Sequence, residues 1–136
     1  MARILAIDYG LKRCGIAVTD KSKLIAQGLT TVNADELMSY LDTYLNSEDV
    51  DTLVVGLPMQ MNYTPSDIEP HIKGFIKRFS KKYPAIEICR VDERFTSKMS
   101  QQTLIMAGAS KKQRRDKGLI DTISATIILQ TFLNQQ

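Results

Sequence analysis

Three carboxylates in this 136-residue chain stand where chemistry could be done. Asp8 ends the apolar run Ile4-Leu5-Ala6-Ile7 and precedes Tyr9-Gly10; Glu93 lies in Asp92-Glu93-Arg94, after a second strand-like run; Asp121 falls in the first turns of a strongly apolar C-terminal segment. Each has an ordinary reading. An Asp before a turn glycine is usually a turn residue, an acid-acid-base tripeptide is usually surface charge, and an acid near a helix start meets the dipole. Asp121, however, is flanked by Ile120, Ile123, Ser124 and Ala125, and an unpaired carboxylate buried among such neighbours is costly. Taken together, hard oxygen ligands from three separate elements suit magnesium or manganese. Two such ions roughly 4 Å apart supply what phosphodiester hydrolysis needs, an activated water and stabilisation of the leaving oxygen. Without metal, packed carboxylates would repel and raise one another's pKa. Zinc is disfavoured, because Cys14 and Cys89 are isolated and His71 is the single histidine, read as facing solvent. No Walker-type glycine loop and no Ser-His-Asp set is present.

Basic residues flank these acids. Lys111, Lys112, Arg114 and Arg115 crowd the connector Ser110 to Lys117, immediately before Asp121. A charge run is usually a solvated loop; beside an acidic site it would neutralise phosphates and hold a polyanion over metal. Arg94 follows Glu93 and would position a phosphate, and Lys12 and Arg13 follow Asp8 closely enough to meet a backbone. Lys73, Lys77 and Lys81 recur at helical spacing and read as an exposed face. Tyr9 either stacks on a base or packs into the fold.

The elements that must position these residues are legible from periodicity. Arg3–Asp8, Cys14–Thr19 and Leu24–Val32 read as an antiparallel meander, with a polar turn at Asp20-Lys21-Ser22-Lys23. Asn33 has the character of a helix cap, with Leu37, Met38, Leu41, Tyr44 and Leu45 following at helical spacing. Thr52–Val55 is a buried strand stopped by Gly56-Leu57-Pro58. Ser66 and Glu69 have capping-box spacing before a helix that buries Ile68, Ile72, Phe75, Ile76, Phe79 and Tyr83. Ile86–Val91 alternates as a half-buried strand, a helix capped by Thr96 or Ser97 runs to Gly108, and a last helix spans about Lys117 to Leu133. The order predicts an α/β fold: a five-stranded mixed sheet, an antiparallel three-strand meander plus two parallel strands, with helices on both faces. In such sheets sites gather beyond the carboxyl ends of parallel strands. Asp8, Gly56-Leu57-Pro58 and Asp92-Glu93 would then share one edge.

The totals set the outer bounds. The length suits one domain over residues 1–136, and 43% hydrophobic with 24% charged residues excludes a disordered or fibrous chain. Two cysteines in strand-like runs argue for a reduced compartment rather than a disulfide scaffold. With no leader or long apolar segment the chain reads as cytoplasmic, without a membrane span. A net charge of +3 is too mild to prove a polyanionic partner by itself.

The motifs resemble the YqgF-type family, described as Holliday-junction resolvases and as pre-16S rRNA nucleases. The residues that carry the resemblance are Asp8-Tyr9-Gly10 with Lys12, Arg13 and Gly15; Gly56-Leu57-Pro58; Asp92-Glu93-Arg94 with Thr96; and Asp121 with Ala125 and Ile128-Leu129-Gln130. The resemblance implies a ribonuclease H-like fold, a nuclease site at Asp8, Glu93 and Asp121, and turn roles for Gly10, Gly56 and Pro58. Asp8 would bridge two Mg2+ or Mn2+ ions, with Glu93 and Asp121 completing their shells. The chain departs from the family at Gln60-Met61-Asn62-Tyr63, where the usual glycine is absent, at Ser124-Ala125 in place of Ala-Ala, and at Phe95 in place of Leu. The first expectation is a metal-dependent nuclease acting on structured nucleic acid, at the 5′ end of pre-16S rRNA, with the ribosome as a further partner. A resolvase of branched DNA is the second, and a non-catalytic nucleic-acid-binding assembly factor the third. Either a monomer or a homodimer is compatible with these motifs. An Asp-x-Gly turn also occurs in the sugar-kinase and actin superfamily, but those proteins repeat the fold in a second domain, for which this chain is too short.

Overall fold

A computed structural model describes residues 2–57, 67–92 and 117–135, the side chains of the last helix from Thr122 onward. The elements are β1 (Arg3–Asp8), β2 (Arg13–Thr19), β3 (Ala26–Asn33), a 3-10 turn (Ala34–Glu36), α1 (Leu37–Ser47), β4 (Val50–Leu57), α2 (Glu69–Lys82), β5 (Glu87–Asp92) and α3 (Lys117–Asn134). They form a five-stranded sheet in the order β3-β2-β1-β4-β5. β1 pairs antiparallel with β2, and β2 with β3, while β1, β4 and β5 run parallel. The expected mixed sheet is therefore the observed one.

Alternation along the strands divides the core in two. Leu5, Ile7, Ile16, Val18, Leu53 and Val55 face α1 and α2, meeting Leu37, Leu41, Ile72, Phe75 and Phe79. Ile4, Ala6, Ala17, Val54 and Val91 face the other way, onto Ala125, Ile128, Leu129 and Phe132 of α3. Helices thus cover both faces. The α3 face carries the smaller strand residues, Ala6 and Ala17, so a helix with Ser124 and Ala125 buried against it lies close to the sheet.

Three local expectations are corrected. Leu24 and Ile25 are not in the third strand: Asp20 Oδ1 accepts from both of their N–H groups, at 2.8 and 2.9 Å. This closes a turn with Lys23 at φ 60° and leaves Leu24 74% exposed. The Asn33 side chain makes no capping bond; the Ala34 N–H donates to the Lys12 carbonyl at 2.9 Å, so the turn between β1 and β2 supplies the acceptor. Glu69 is not the third residue of its helix as a capping box requires: α2 begins at Glu69 itself, and an arginine holds its carboxylate. Ser66, the other member of that box, lies outside the described residues, as do the Thr96–Gly108 helix and the basic connector.

Candidate functional site

The register brings one row of residues to the carboxyl edge of the parallel strands. Asp8 pairs with Gly15, and Gly15 with Thr31. On the other side Ile7 pairs with Val55, which sets Gly56 beside Asp8, and Gly56 pairs with Val91. The row therefore reads Thr31, Gly15, Asp8, Gly56, Val91. By the alternation that puts Ala6, Ala17, Val54 and Val91 on the α3 face, the whole row looks toward α3. Asp8, half-buried, is flanked on both neighbouring strands by residues with no side chain. A slot of this kind lets a ligand approach the carboxylate and the backbone closely.

Leu57 pairs with Asp92 one step further out, so the predicted meeting of Asp8, Gly56-Leu57 and Asp92 at one sheet edge is observed. Glu93 follows Asp92 directly in the chain but, with Pro58 and Arg94, lies outside the described residues, as do Lys111, Lys112, Arg114 and Arg115. Asp121 is in α3, one residue before Thr122; its side chain is outside the described set. Lys12 is exposed in the turn after Asp8, and Arg13 opens β2 on the same face as Gly15. At Gly10 a Cβ would collide with the Arg13 carbonyl oxygen, so the tight return from β1 to β2 excludes any side chain there.

Tyr9 is a packing residue: its ring lies 5.6 Å from that of Phe75 on α2. Burial pushes its phenol above the ordinary range, the Cys14 thiol adds to this, and Arg78 opposes it. His71 is exposed, as expected. Among the described residues no group of three or more His, Cys, Asp or Glu side chains could hold a metal, as follows when two of three candidate acids fall outside them. The described acid fits a hard cation in kind and setting, an oxygen donor between two glycines at a strand-end edge.

Sequence reasoning missed two features of this edge. Arg90 of β5 lies on the α2 side and joins three elements: Nη2 donates to Glu69 Oε1 at 2.7 Å and to the Gly56 carbonyl at 3.0 Å, Nη1 to Glu69 Oε2 at 3.3 Å, and Nε to the Val55 carbonyl at 3.2 Å. The first turn of α2 is thereby tied to the end of β4, beside Gly56. A signal existed, since an arginine on the same strand face as Ile88 calls for a buried anion. The second feature is a bond between Thr31 and Thr122 at 2.6 Å, for which no local signal exists. Two grooves among the described residues open elsewhere, one between α2 and β5 along Lys73, Lys77 and Ile88, another near Leu24, Cys89 and Leu133.

The RuvX family model, described as Holliday junction resolvase, matches residues 2–135. A protein of Christiangramia forsetii is 58% identical over 133 residues, 98% of each chain, and bears the name "Putative pre-16S rRNA nuclease". A Flavobacterium johnsoniae protein of the same name is 52% identical over 136 residues, covering 100% of this chain and 99% of its own. Among solved structures, T. thermophilus RuvC in complex with a Holliday junction substrate superposes with a TM-score of 0.57 at 12% identity, covering 99% of this chain and 96% of that one. The likeness shows a ribonuclease H-like fold.

Proposed function

The chain belongs to the RuvX family, and from that membership we propose a metal-dependent nuclease that hydrolyses phosphodiester bonds in structured nucleic acid, with the 5′ end of pre-16S rRNA as substrate. The nuclease class rests on the family and on the relatives' names. The observation that carries the site is Asp8 between Gly15 and Gly56, at the common edge of β1, β4 and β5. Asp8, Glu93 and Asp121 would hold Mg2+ or Mn2+, which when bound supplies an activated water and neutralises charge on the leaving oxygen.

The remaining chemistry belongs to the chain itself. Asp8 sits at a strand end whose backbone is fixed by pairing on both sides, so its carboxylate presents oxygen donors without reorganising. Lys12 and Arg13, in and after the turn that follows Asp8, would bind phosphates flanking the scissile bond. Arg94, Lys111, Lys112, Arg114 and Arg115 would extend that contact along the polyanion. The Arg90–Glu69 pair holds the end of β4 and the start of α2 together, keeping Gly56 at its level beside Asp8. No helix among the described residues is long and apolar enough to cross a membrane.

The rRNA reading is supported by the names of relatives at 58% and 52% identity, and the ribosome would be a further partner. The family description supports a second reading, cleavage of branched DNA, for which a homodimer would match a two-fold junction. Purified protein offered a four-way DNA junction and a pre-16S rRNA leader side by side, with Mg2+ and with Mn2+, separates them. Faster cleavage of the rRNA at a defined 5′ position supports the first reading; paired incisions in the junction alone overturn it in favour of the second.

A further inference from the structure

Helix α3 is seated on the edge strand β3 at two adjoining points. Thr31 Oγ1 and Thr122 Oγ1 share a hydrogen bond of 2.6 Å, across 91 residues of sequence. Beside it, a Cβ added to Gly28 would come within 2.7 Å of Thr122 Cγ2 and 3.2 Å of Thr126 Oγ1. Thr126 Oγ1 in turn donates to the Thr122 carbonyl at 2.9 Å, closing one face of the helix turn. Thr122 is thus held by a directional bond on one side and a slot shaped by a missing side chain on the other.

Two placements give this contact a meaning beyond packing. Thr31 stands in the same row of the sheet as Asp8, with only Gly15 between them; at about 4.8 Å per strand the two backbones are about 9.6 Å apart. Asp121 immediately precedes Thr122 in one continuous helix, so a contact that fixes Thr122 along and about the helix axis fixes the Asp121 backbone too. We propose that Thr31 and Gly28 are positioning residues, which set the distance of Asp121 from Asp8 by seating α3 on β3 at the level of the candidate site. This rests on the reading of Asp8 and Asp121 as metal ligands and adds the device that brings the second to the first.

The test uses the difference between a hydrogen bond and an apolar contact. Methyl groups need about 3.8 Å between carbons, so the Thr31→Val/Thr122→Val pair removes this bond from both ends at once and moves α3 outward by about 1 Å. Gly28→Ala pushes the same helix from the same side. The Thr31→Ser/Thr122→Ser pair keeps both hydroxyls. Mn2+ titration by calorimetry, thermal unfolding without metal, and the kcat and KM of nucleic-acid cleavage would be measured on the full chain. The valine pair and Gly28→Ala are expected to weaken Mn2+ binding about 10-fold or more. Their kcat should fall by up to about 10²-fold, the scale of a 1 Å misplacement, with KM nearly unchanged, whereas the serine pair should behave as wild type. A purely structural contact would instead change thermal stability and leave the metal affinity of the folded protein alone. Should the valine pair fail to fold, Gly28→Ala decides. Wild-type Mn2+ affinity and kcat in either folded variant overturn the inference. Asp121→Asn, run in parallel, separates the two claims. If it binds Mn2+ as wild type does, the ligand reading falls and this inference with it. If it loses Mn2+ while Gly28→Ala and the valine pair bind normally, the positioning claim alone is overturned.

Discussion

Breaking the Arg90–Glu69 pair should destabilise the protein far more than a surface ion pair would, and unequally from its two ends. The Glu69 side chain is 5% exposed and that of Arg90 24%, so removing the arginine strands a buried carboxylate, whereas removing the carboxylate leaves a guanidinium that water still reaches. Loss of one partner of a buried pair costs about 3–5 kcal/mol. Arg90→Leu also deletes the two bonds to the Val55 and Gly56 carbonyls, at 3.2 and 3.0 Å, and should lie in that range. Glu69→Leu keeps those bonds, and with partial hydration of Arg90 should cost about 2 kcal/mol. At about 4 °C per kcal/mol for a chain of this size, the melting temperature should drop by about 12 °C or more and by about 8 °C respectively. The double variant replaces the pair with apolar side chains and should recover a coupling energy of about 2 kcal/mol. Urea unfolding of the four proteins at one pH, with equal m values confirming a common transition, makes the cycle quantitative. Single variants that each cost less than about 0.5 kcal/mol, the range of ordinary surface changes, would refute the reasoning.

Other consequences follow from neighbouring groups. Asp42 accepts hydrogen bonds from the Tyr83 hydroxyl and from Lys82, the latter at 2.5 Å. Burial, and then the bond and charge of Asp42, push Tyr83 up to about 12. Because the folded value exceeds the unfolded value of about 10, the stabilisation is complete below pH 10 and is lost as pH rises toward 12. Burial also raises Tyr9, Tyr40 and Tyr44, so the absorbance titration should show several late tyrosines, of which Tyr83→Phe removes the last; if that variant leaves the high-pH end of the titration unchanged, the contact is absent in solution. Gly15→Val places a branched side chain in the row beside Asp8. It should abolish metal-dependent cleavage in a protein whose far-UV circular dichroism is unchanged, and full activity in that variant would show that the slot is not used.

The layered architecture was legible in the order of short apolar runs, turns and helical periodicities, and the strand-end position of Asp8 followed. Which face each residue takes, Leu5 and Ile7 against Ile4 and Ala6 or Leu53 and Val55 against Val54, was not, because these strands are apolar on both faces and buried on both. The errors arose where a distant group took over a local role. Leu24 and Ile25 have strand-forming character, but the Asp20 carboxylate three residues before the left-handed Lys23 captures their N–H groups first. Asn33 and Glu69 carry sound local capping signals, displaced by the Lys12 carbonyl and by Arg90, 21 residues along from Glu69. Thr31 and Thr122 are ordinary residues in sequence, and only the fold makes them neighbours. Local chemistry was visible at single positions, while partnerships across the sheet were not.

The most direct test of the central claim is cleavage by Asp8→Asn against wild type, on the preferred substrate, with Mg2+ titrated and the fold checked by circular dichroism. Asparagine keeps the shape and removes the charge that would hold the ion. Cleavage is expected to fall on the order of 10²–10³-fold, with Mn2+ binding weakened in parallel and the melting temperature preserved. Undiminished Mg2+-dependent cleavage by the folded variant would contradict the account.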